Sequence, residues 1–165
     1  MEKRMAVRRR ENGGDMAFGL VQLGLAAASL RDAGSAYEVV DWLANKFWGS
    51  NMVSTHDPKN IFNTDICGGL PAVVLRMLVD SSAGRIDLLP ALPKQWPAGT
   101  LTGARCRGNI EVRSLQWSPA EITATLRSAT TQTVEVTIPG EPAPRQIQLP
   151  AGKDVPLTAK QPIYR

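Results

Sequence analysis

The residues best suited to chemistry surround Asp65, in the sequence IFNTDICGGLP that spans residues 61–71. Asp65 follows an apolar and polar lead-in and precedes a Gly-Gly-Leu-Pro stretch. A carboxylate here is either a helix N-cap, which accepts backbone N–H bonds, or an ionised group at the mouth of a pocket. The two roles are compatible, because a capping carboxylate stays ionised and an ionised carboxylate can polarise a nearby amide.

Neighbouring polar residues extend this candidate site. His56, the sole histidine, lies in the sequence THDP, which we expect to be a loop between helices. Binding residues concentrate in loops, although a lone histidine is also a common loop or core residue. Asn63 and Thr64 flank Asp65. They either hydrogen-bond hydroxyl groups of a ligand or complete the helix cap.

Four tryptophans are candidates for a pocket wall. We expect Trp42 in a helical core, Trp96 in a linker and Trp117 inside a sheet. Trp48 lies at a predicted helix end beside Gly49 and is therefore the best candidate of the four.

The sequence offers few residues that could bind a metal or a cofactor. Cys67 and Cys106 are far apart and follow no metal-ligand spacing, and the single histidine adds no ligand pair. We expect no metal and no cofactor, and we expect both cysteines to be buried free thiols rather than a disulfide.

The net charge of +4 reflects residues 1–12, because five of the first ten residues are basic. We predict a basic, disordered arm there. The remaining charge is nearly balanced and forms no basic stripe with interleaved aromatics, which argues against nucleic-acid binding. No stretch is long and apolar enough to span a membrane, and no apolar run follows the basic residues as in a secretory signal.

Helical periodicity dominates residues 13–84. Apolar residues on both sides of residues 16–30 predict a helix buried by neighbours on two faces, ending near Gly34. Ser35 and Glu38 have the spacing of a capping box for a second helix that ends near Gly49. A third helix is predicted from about Gly69 to Val79, with Pro71 in its first turn.

Residues 85–165 change to a period of two. Val134, Val136 and Ile138 alternate with polar residues, as in half-buried antiparallel strands. Ten of the twelve prolines lie beyond residue 85, where they suit turns and sheet edges. Short strands with regular turns predict a β-sandwich, whose first strand and linker are LLPALPKQWP. The three helices do not form a closed domain and look like the end of a larger helical array.

Two motifs carry a resemblance to a known family. LLPALPKQWPAGTLTGARCRGNIEV is the more specific, and residues 55–69 are similar to a family pattern THPPFQIDGNFG with a few extra residues after His56. Over roughly residues 13–138 the chain resembles the C-terminal part of the family 95 glycoside hydrolases, which include α-L-fucosidases and related α-galactosidases. The fold class implied is the last helices of an (α/α)6 barrel followed by a C-terminal antiparallel β-sandwich.

The resemblance also implies an activity. The family hydrolyses terminal α-linked fucose or galactose with inversion, and members are often secreted or periplasmic. Its general acid is a Glu in an earlier part of the barrel, and an Asp polarises an Asn that activates water. Asp65 matches that Asp, and His56 matches the histidine of THPP, where we expect a sugar-hydroxyl contact. Ile66-Cys67-Gly68-Gly69 departs from Gly-Asn-Phe-Gly, and residues 13–16 lack the family's Trp, which indicates a divergent branch.

Two functions follow from these patterns. The first is the C-terminal fragment of an inverting hydrolase of α-fucosides or α-galactosides, whose partner is the remainder of the hydrolase chain. This fragment is expected to be inactive alone, because inversion needs an acid and a base and the chain offers one of them. The second is a non-catalytic carbohydrate-binding or structural β-sandwich module.

Overall fold

The computed structural model describes residues 1–58 and 60–160. The chain divides into two compact units, Met1–Leu78 and Val79–Arg165, which we call the helical unit and the strand unit. The boundary was predicted after residue 84. It falls earlier because a β-hairpin begins at Val79, directly after the last helix.

The helical unit contains four helices and one short hairpin among its described residues. These elements are α1 (Glu2–Arg10), α2 (Ala17–Ser29), α3 (Ala33–Lys46), β1 (Thr55–Asp57), β2 (Asn60–Phe62) and α4 (Asp65–Leu78). Helix α2 packs against both α3 and α4, as its two apolar faces predicted. Their shared core is centred on Leu20, Val21, Leu43, Phe47 and Ile66. No described helix reaches the length and hydropathy that a membrane-spanning helix requires.

The segment expected to be a disordered arm is helical instead. Residues 2–10 are rich in good helix formers, Glu2 lies in the first turn of α1, and arginines occupy its last turn, where they complement the helix dipole. Met5 is buried in the core of the helical unit. Arg9 donates to Glu38 of α3, with Nε 2.8 Å from Oε2. Charge density alone was therefore a poor guide to disorder here.

The turn between α2 and α3 differs from the prediction in two ways. Arg31, not Gly34, adopts the left-handed conformation after α2, with φ of 59°. The N–H groups of Arg31 and Asp32 close this end by donating to Ala28 and Ala27. Asp32, not Ser35, is the N-cap of α3, because its side chain accepts from the Ser35 N–H at 3.0 Å.

Helix α4 begins earlier than predicted. It starts at Asp65 rather than near Gly69, so Pro71 lies inside the helix and not in its first turn. The predicted strand in LLPALPKQWP is also displaced. The strand there is β4, which ends at Leu88, and a preceding strand β3 forms a hairpin with it.

The strand unit contains two four-stranded sheets. Its strands are β3 (Val79–Ser82), β4 (Arg85–Leu88), β5 (Gly99–Cys106), β6 (Ile110–Trp117), β7 (Glu121–Ser128), β8 (Gln132–Thr137), β9 (Arg145–Leu149) and β10 (Asp154–Lys160). The first sheet has the order β10-β7-β6-β5 and is antiparallel throughout. The second has the order β3-β4-β8-β9.

The expectation of purely antiparallel pairing is wrong for one pair. β4 and β8 run parallel, with Ile86 opposite Val136. Three strands of the first sheet, β5 to β7, separate β4 and β8 in sequence, so no tight turn constrains their relative direction. The predicted alternation is confirmed, since Val134, Val136 and Ile138 are buried. The mixed α and β class is confirmed as well.

Candidate functional site

The β1–β2 hairpin brings together residues that are separated in sequence. His56 lies on β1, Asn63 directly follows β2, and Asp65 is the first residue of α4. Thr55 pairs with Phe62, and the N–H of Asn63 donates to the carbonyl of Ser54 at 3.0 Å. This ladder places the side chain of Asn63 within reach of both His56 and Asp65.

Asn63 is the centre of the resulting group. Its Oδ1 accepts the backbone N–H of Asp65 at 2.5 Å, and its Nδ2 lies 3.1 Å from Oδ2 of Asp65. The same Nδ2 lies 3.2 Å from Nδ1 of His56. We call His56, Asn63 and Asp65 the hairpin cluster. Three of the residues predicted for the site are therefore in one hydrogen-bonded network.

The carboxylate of Asp65 is exposed and lies in the first turn of α4. Asp65 does not act as the N-cap of α4. The side chain that accepts a backbone N–H at this helix end is that of Asn63, and the donor is the N–H of Asp65. Oδ2 of Asp65 accepts from Asn63, and no described residue donates to Oδ1. This carboxylate therefore lies at the positive end of the α4 dipole.

His56 is partly shielded, with 27% of its side chain exposed. Its Nε2 lies 4.0 Å from Oδ1 of Asp57, which is too long for a hydrogen bond. Asp57 is thus a second carboxylate beside the cluster. Sequence reasoning did not select it, although its position next to His56 in THDP was a usable signal.

Ser54 is a buried residue that contacts the cluster, and it was not selected from the sequence. It is 1% exposed, and its Oγ donates to the carbonyl of Asn63 and lies 3.0 Å from Sγ of Cys67. Next to it, Thr55 Oγ1 donates to the carbonyl of Phe47 at 3.2 Å. These bonds attach the hairpin to the end of α3 and to α4.

Thr64 and Trp48 are not joined to the cluster by a side-chain hydrogen bond. Thr64 is exposed, and its carbonyl accepts from the Cys67 N–H at 3.1 Å, which is a bond of the first helical turn. Trp48 forms a β-bridge with Ser54 and packs against the helical core. Its Nε1 is shielded from solvent and has no partner among the described residues.

Two grooves lie elsewhere on the molecule. One of about 400 Å³ lies between α1 and α2, lined by residues that include Arg4, Arg8 and Leu23. Another of about 300 Å³ lies on the first sheet beside Trp117. Neither of these two grooves is lined by a residue of the hairpin cluster.

Both cysteines are free, as predicted, but they are not both buried. Cys67 is exposed in the first turn of α4, whereas Cys106 is half-buried. Burial raises the pKa of the Cys106 thiol, and this outweighs the hydrogen bond from Ser81. In the part of the chain that the structure describes, no three His, Cys, Asp or Glu side chains are grouped to hold a metal ion.

Comparison with known proteins identifies relatives of part of this chain. Residues 80–161 match the sequence model of the glycoside hydrolase family 95 C-terminal domain. Alpha-L-fucosidase 2 of Arabidopsis thaliana is 44% identical over 69 residues, which are 41% of this chain and 8% of that relative. The match therefore spans a small part of the relative's length.

Proposed function

Since residues 80–161 belong to the C-terminal domain of glycoside hydrolase family 95, we propose that this chain is the C-terminal part of an inverting hydrolase of α-linked fucosides or galactosides. In this proposal the two sheets of the strand unit form the terminal sandwich, and the helical unit is the end of an (α/α)6 barrel. The substrate is a carbohydrate, and the name of the Arabidopsis relative favours fucose.

The hairpin cluster is the observation that carries the proposed chemistry. Asp65 sits beside the Asn63 amide and at the N-terminus of α4, where an anion meets the positive end of the helix dipole. Its Oδ1 remains available among the described residues to accept from an asparagine or a water supplied by the rest of the active site. We assign Asp65 the base side of the reaction. His56 lies on the same surface and is assigned a contact to a sugar hydroxyl.

The isolated chain is expected to be inactive. Inverting hydrolysis places an acid and a base on opposite sides of the scissile bond, with the two carboxyl groups about 6.5–9.5 Å apart. Two other carboxylates of the helical unit are engaged in local structure. Glu38 is paired with Arg9, and Asp41 accepts from the Asn45 amide. We therefore place the general acid in the remainder of the hydrolase chain.

The test uses Asp65→Asn in the complete parent hydrolase, or grafted with its segment into a full-length family 95 relative. Asn retains a side-chain acceptor for Asn63 but removes the charge. Release of fucose from an α-linked substrate should fall by about two to four orders of magnitude, because general-base assistance is lost. The melting temperature should change little.

Asp41→Asn is the matched control, because Asp41 also accepts from a neighbouring asparagine amide, with Oδ1 2.9 Å from Asn45 Nδ2. It should leave hydrolysis unchanged. Full activity in Asp65→Asn would remove Asp65 from the mechanism. Comparing release of fucose with release of galactose identifies the preferred sugar.

A second candidate function is carbohydrate binding by the strand unit without catalysis. The groove beside Trp117 favours it, because Thr100, Gln116, Glu121 and Thr123 line it with hydroxyl, amide and carboxylate groups that suit sugar hydroxyls. Titration of this chain with fucose and galactose separates the candidates. Binding that is lost in Gln116→Ala supports the module, whereas binding that is lost in Asp65→Asn supports the hydrolase.

A further inference from the structure

The sequence left Asn63 as either a sugar ligand or part of the helix cap, and its contacts point to one role that includes the cap. We propose that Asn63 is a positioning residue, which orients the Asp65 carboxylate and holds the His56 proton on Nε2, and that it does not bind the sugar. The roles of His56 and Asp65 toward a sugar rest on the proposed function. The positioning itself rests only on the hydrogen bonds of the hairpin cluster.

The orientation of the Asn63 amide follows from one contact. The backbone N–H of Asp65 can only donate, so the Asn63 atom 2.5 Å from it must be the carbonyl oxygen Oδ1. The opposite orientation would set two donors against each other. Nδ2 of Asn63 therefore faces Oδ2 of Asp65 and Nδ1 of His56.

The protonation of His56 follows in turn. An amide NH₂ group has two donors and no acceptor. One N–H of Asn63 is directed to the Asp65 carboxylate at 3.1 Å, and the other to His56 Nδ1 at 3.2 Å. Nδ1 must accept, so the neutral imidazole carries its proton on Nε2. Both N–H groups of Asn63 are then occupied, and none remains for a ligand.

As a consequence, His56 keeps one donor and Asp65 keeps one acceptor that the cluster itself does not use. His56 offers the Nε2–H as a donor, since Oδ1 of Asp57 is 4.0 Å away and does not accept it. Asp65 offers Oδ1 as an acceptor. Asp57 and Asp65 are the charged groups that the structure places near the ring. The Asn63 amide thus holds a donor, His56 Nε2–H, and an acceptor, Asp65 Oδ1, and such a pair suits neighbouring hydroxyl groups of a sugar.

The test reads the tautomer directly by nitrogen NMR. His56 is the only histidine, so the ring signals of a ¹⁵N-labelled chain need no assignment. Long-range ¹H–¹⁵N spectra are recorded about two pH units above the ordinary histidine value. The unaltered chain should show a protonated Nε2 and an unprotonated Nδ1. Asn63→Asp replaces the donor that faces Nδ1 by a carboxylate oxygen, so Nδ1 should become protonated.

Asn45→Asp is the control, because it makes the same change beside Asp41 on α3. It should leave the His56 spectrum unchanged. Asn63→Ala provides a second variant if Asn63→Asp unfolds the hairpin, and it should give a mixture of both tautomers. A protonated Nδ1 in the unaltered chain would overturn the proposal, as would identical His56 spectra in all three variants.

These measurements need no sugar and no catalysis. A failed tautomer test would leave the hydrolase proposal intact, and a failed hydrolysis test would leave the positioning role intact.

Discussion

At the scale of single residues, the cluster shows how one amide can organise two other groups. From the sequence, Asp65 was selected as a base-side carboxylate and His56 as a sugar-hydroxyl contact in a loop. Asn63 was selected only as a sugar ligand or a cap. Its contacts with both neighbours depend on the β1–β2 ladder, which no local pattern specified.

The two cysteines should differ in reactivity. Cys67 is exposed, whereas burial raises the pKa of Cys106 and lowers its thiolate fraction at neutral pH. We expect a fast and a slow phase when the folded chain reacts with an aromatic disulfide reagent. The slow phase should accelerate more steeply as pH rises, because the Cys106 thiol ionises at higher pH than an ordinary cysteine.

Cys67→Ser assigns the phases. It should remove the fast phase and leave the slow one, while Cys106→Ser should do the reverse. Equal rates for the two thiols in the folded chain would contradict the burial of Cys106.

At the scale of elements, two adjacent glycines in α4 have opposite roles. A Cβ on Gly69 would lie 2.5 Å from Cγ2 of Val21 in α2, whereas a Cβ on Gly68 would meet nothing within 4 Å. Gly69 thus permits the close approach of α2 and α4. Val21 is β-branched and buried, so it has little freedom to move aside.

Alanine substitutions at these positions should change stability in opposite directions. Gly69→Ala should destabilise the helical unit, because overpacking costs about 1–3 kcal/mol and exceeds the gain in helix propensity. Gly68→Ala should stabilise it by about 0.5–1 kcal/mol, since only the propensity gain applies. Urea unfolding followed by the helical circular dichroism signal measures both.

The pair is its own control, because the two substitutions are chemically identical and differ only in the neighbour that each meets. Stabilisation by Gly69→Ala would show that α2 and α4 do not pack as closely as the structure has them.

At the scale of the whole molecule, exposed apolar side chains are unevenly distributed. Among the described residues, every large hydrophobic side chain that is exposed belongs to the helical unit. These include Met16, Phe18 and Leu30 at or near the ends of α2, Ile61 and Phe62 on β2, and Leu75 on α4. A contiguous apolar patch is typical of a surface that another chain or segment covers.

We therefore expect this chain to bind a dye that fluoresces on apolar surfaces and to form oligomers in dynamic light scattering. Phe18→Gln combined with Phe62→Gln should reduce dye binding, because these side chains are 50% and 67% exposed. The unfolding free energy should change by no more than about 0.5 kcal/mol per substitution, as is usual at surface positions.

Thr133→Gln is the control, since Thr133 is an exposed residue of the strand unit, and it should leave dye binding unchanged. A monomer that binds no dye would contradict the prediction.

Periodicity in the sequence was sufficient to identify the helical and strand regions. Residues 16–30 and the alternation of Val134 and Val136 encode which faces are buried, because burial depends on residue type and spacing. The resemblance found in LLPALPKQWP lies within the matched residues 80–161. The segment around Asp65 was a candidate site by its residue types, and the resemblance to the family pattern favoured a functional role for it.

The tertiary structure decided the features that depend on distant partners. Asp32 rather than Ser35 caps α3, and β4 pairs in parallel with β8. Residues 2–10 form a helix where a disordered arm was expected, and Met5 of this helix is buried in the core. The hydrogen bonds of Asn63 were also decided by the tertiary structure, because several residues close in sequence could have bonded its side-chain amide. Only the fold places His56 and Asp65 on its two N–H groups, since hydrogen bonding requires distances that local sequence does not set.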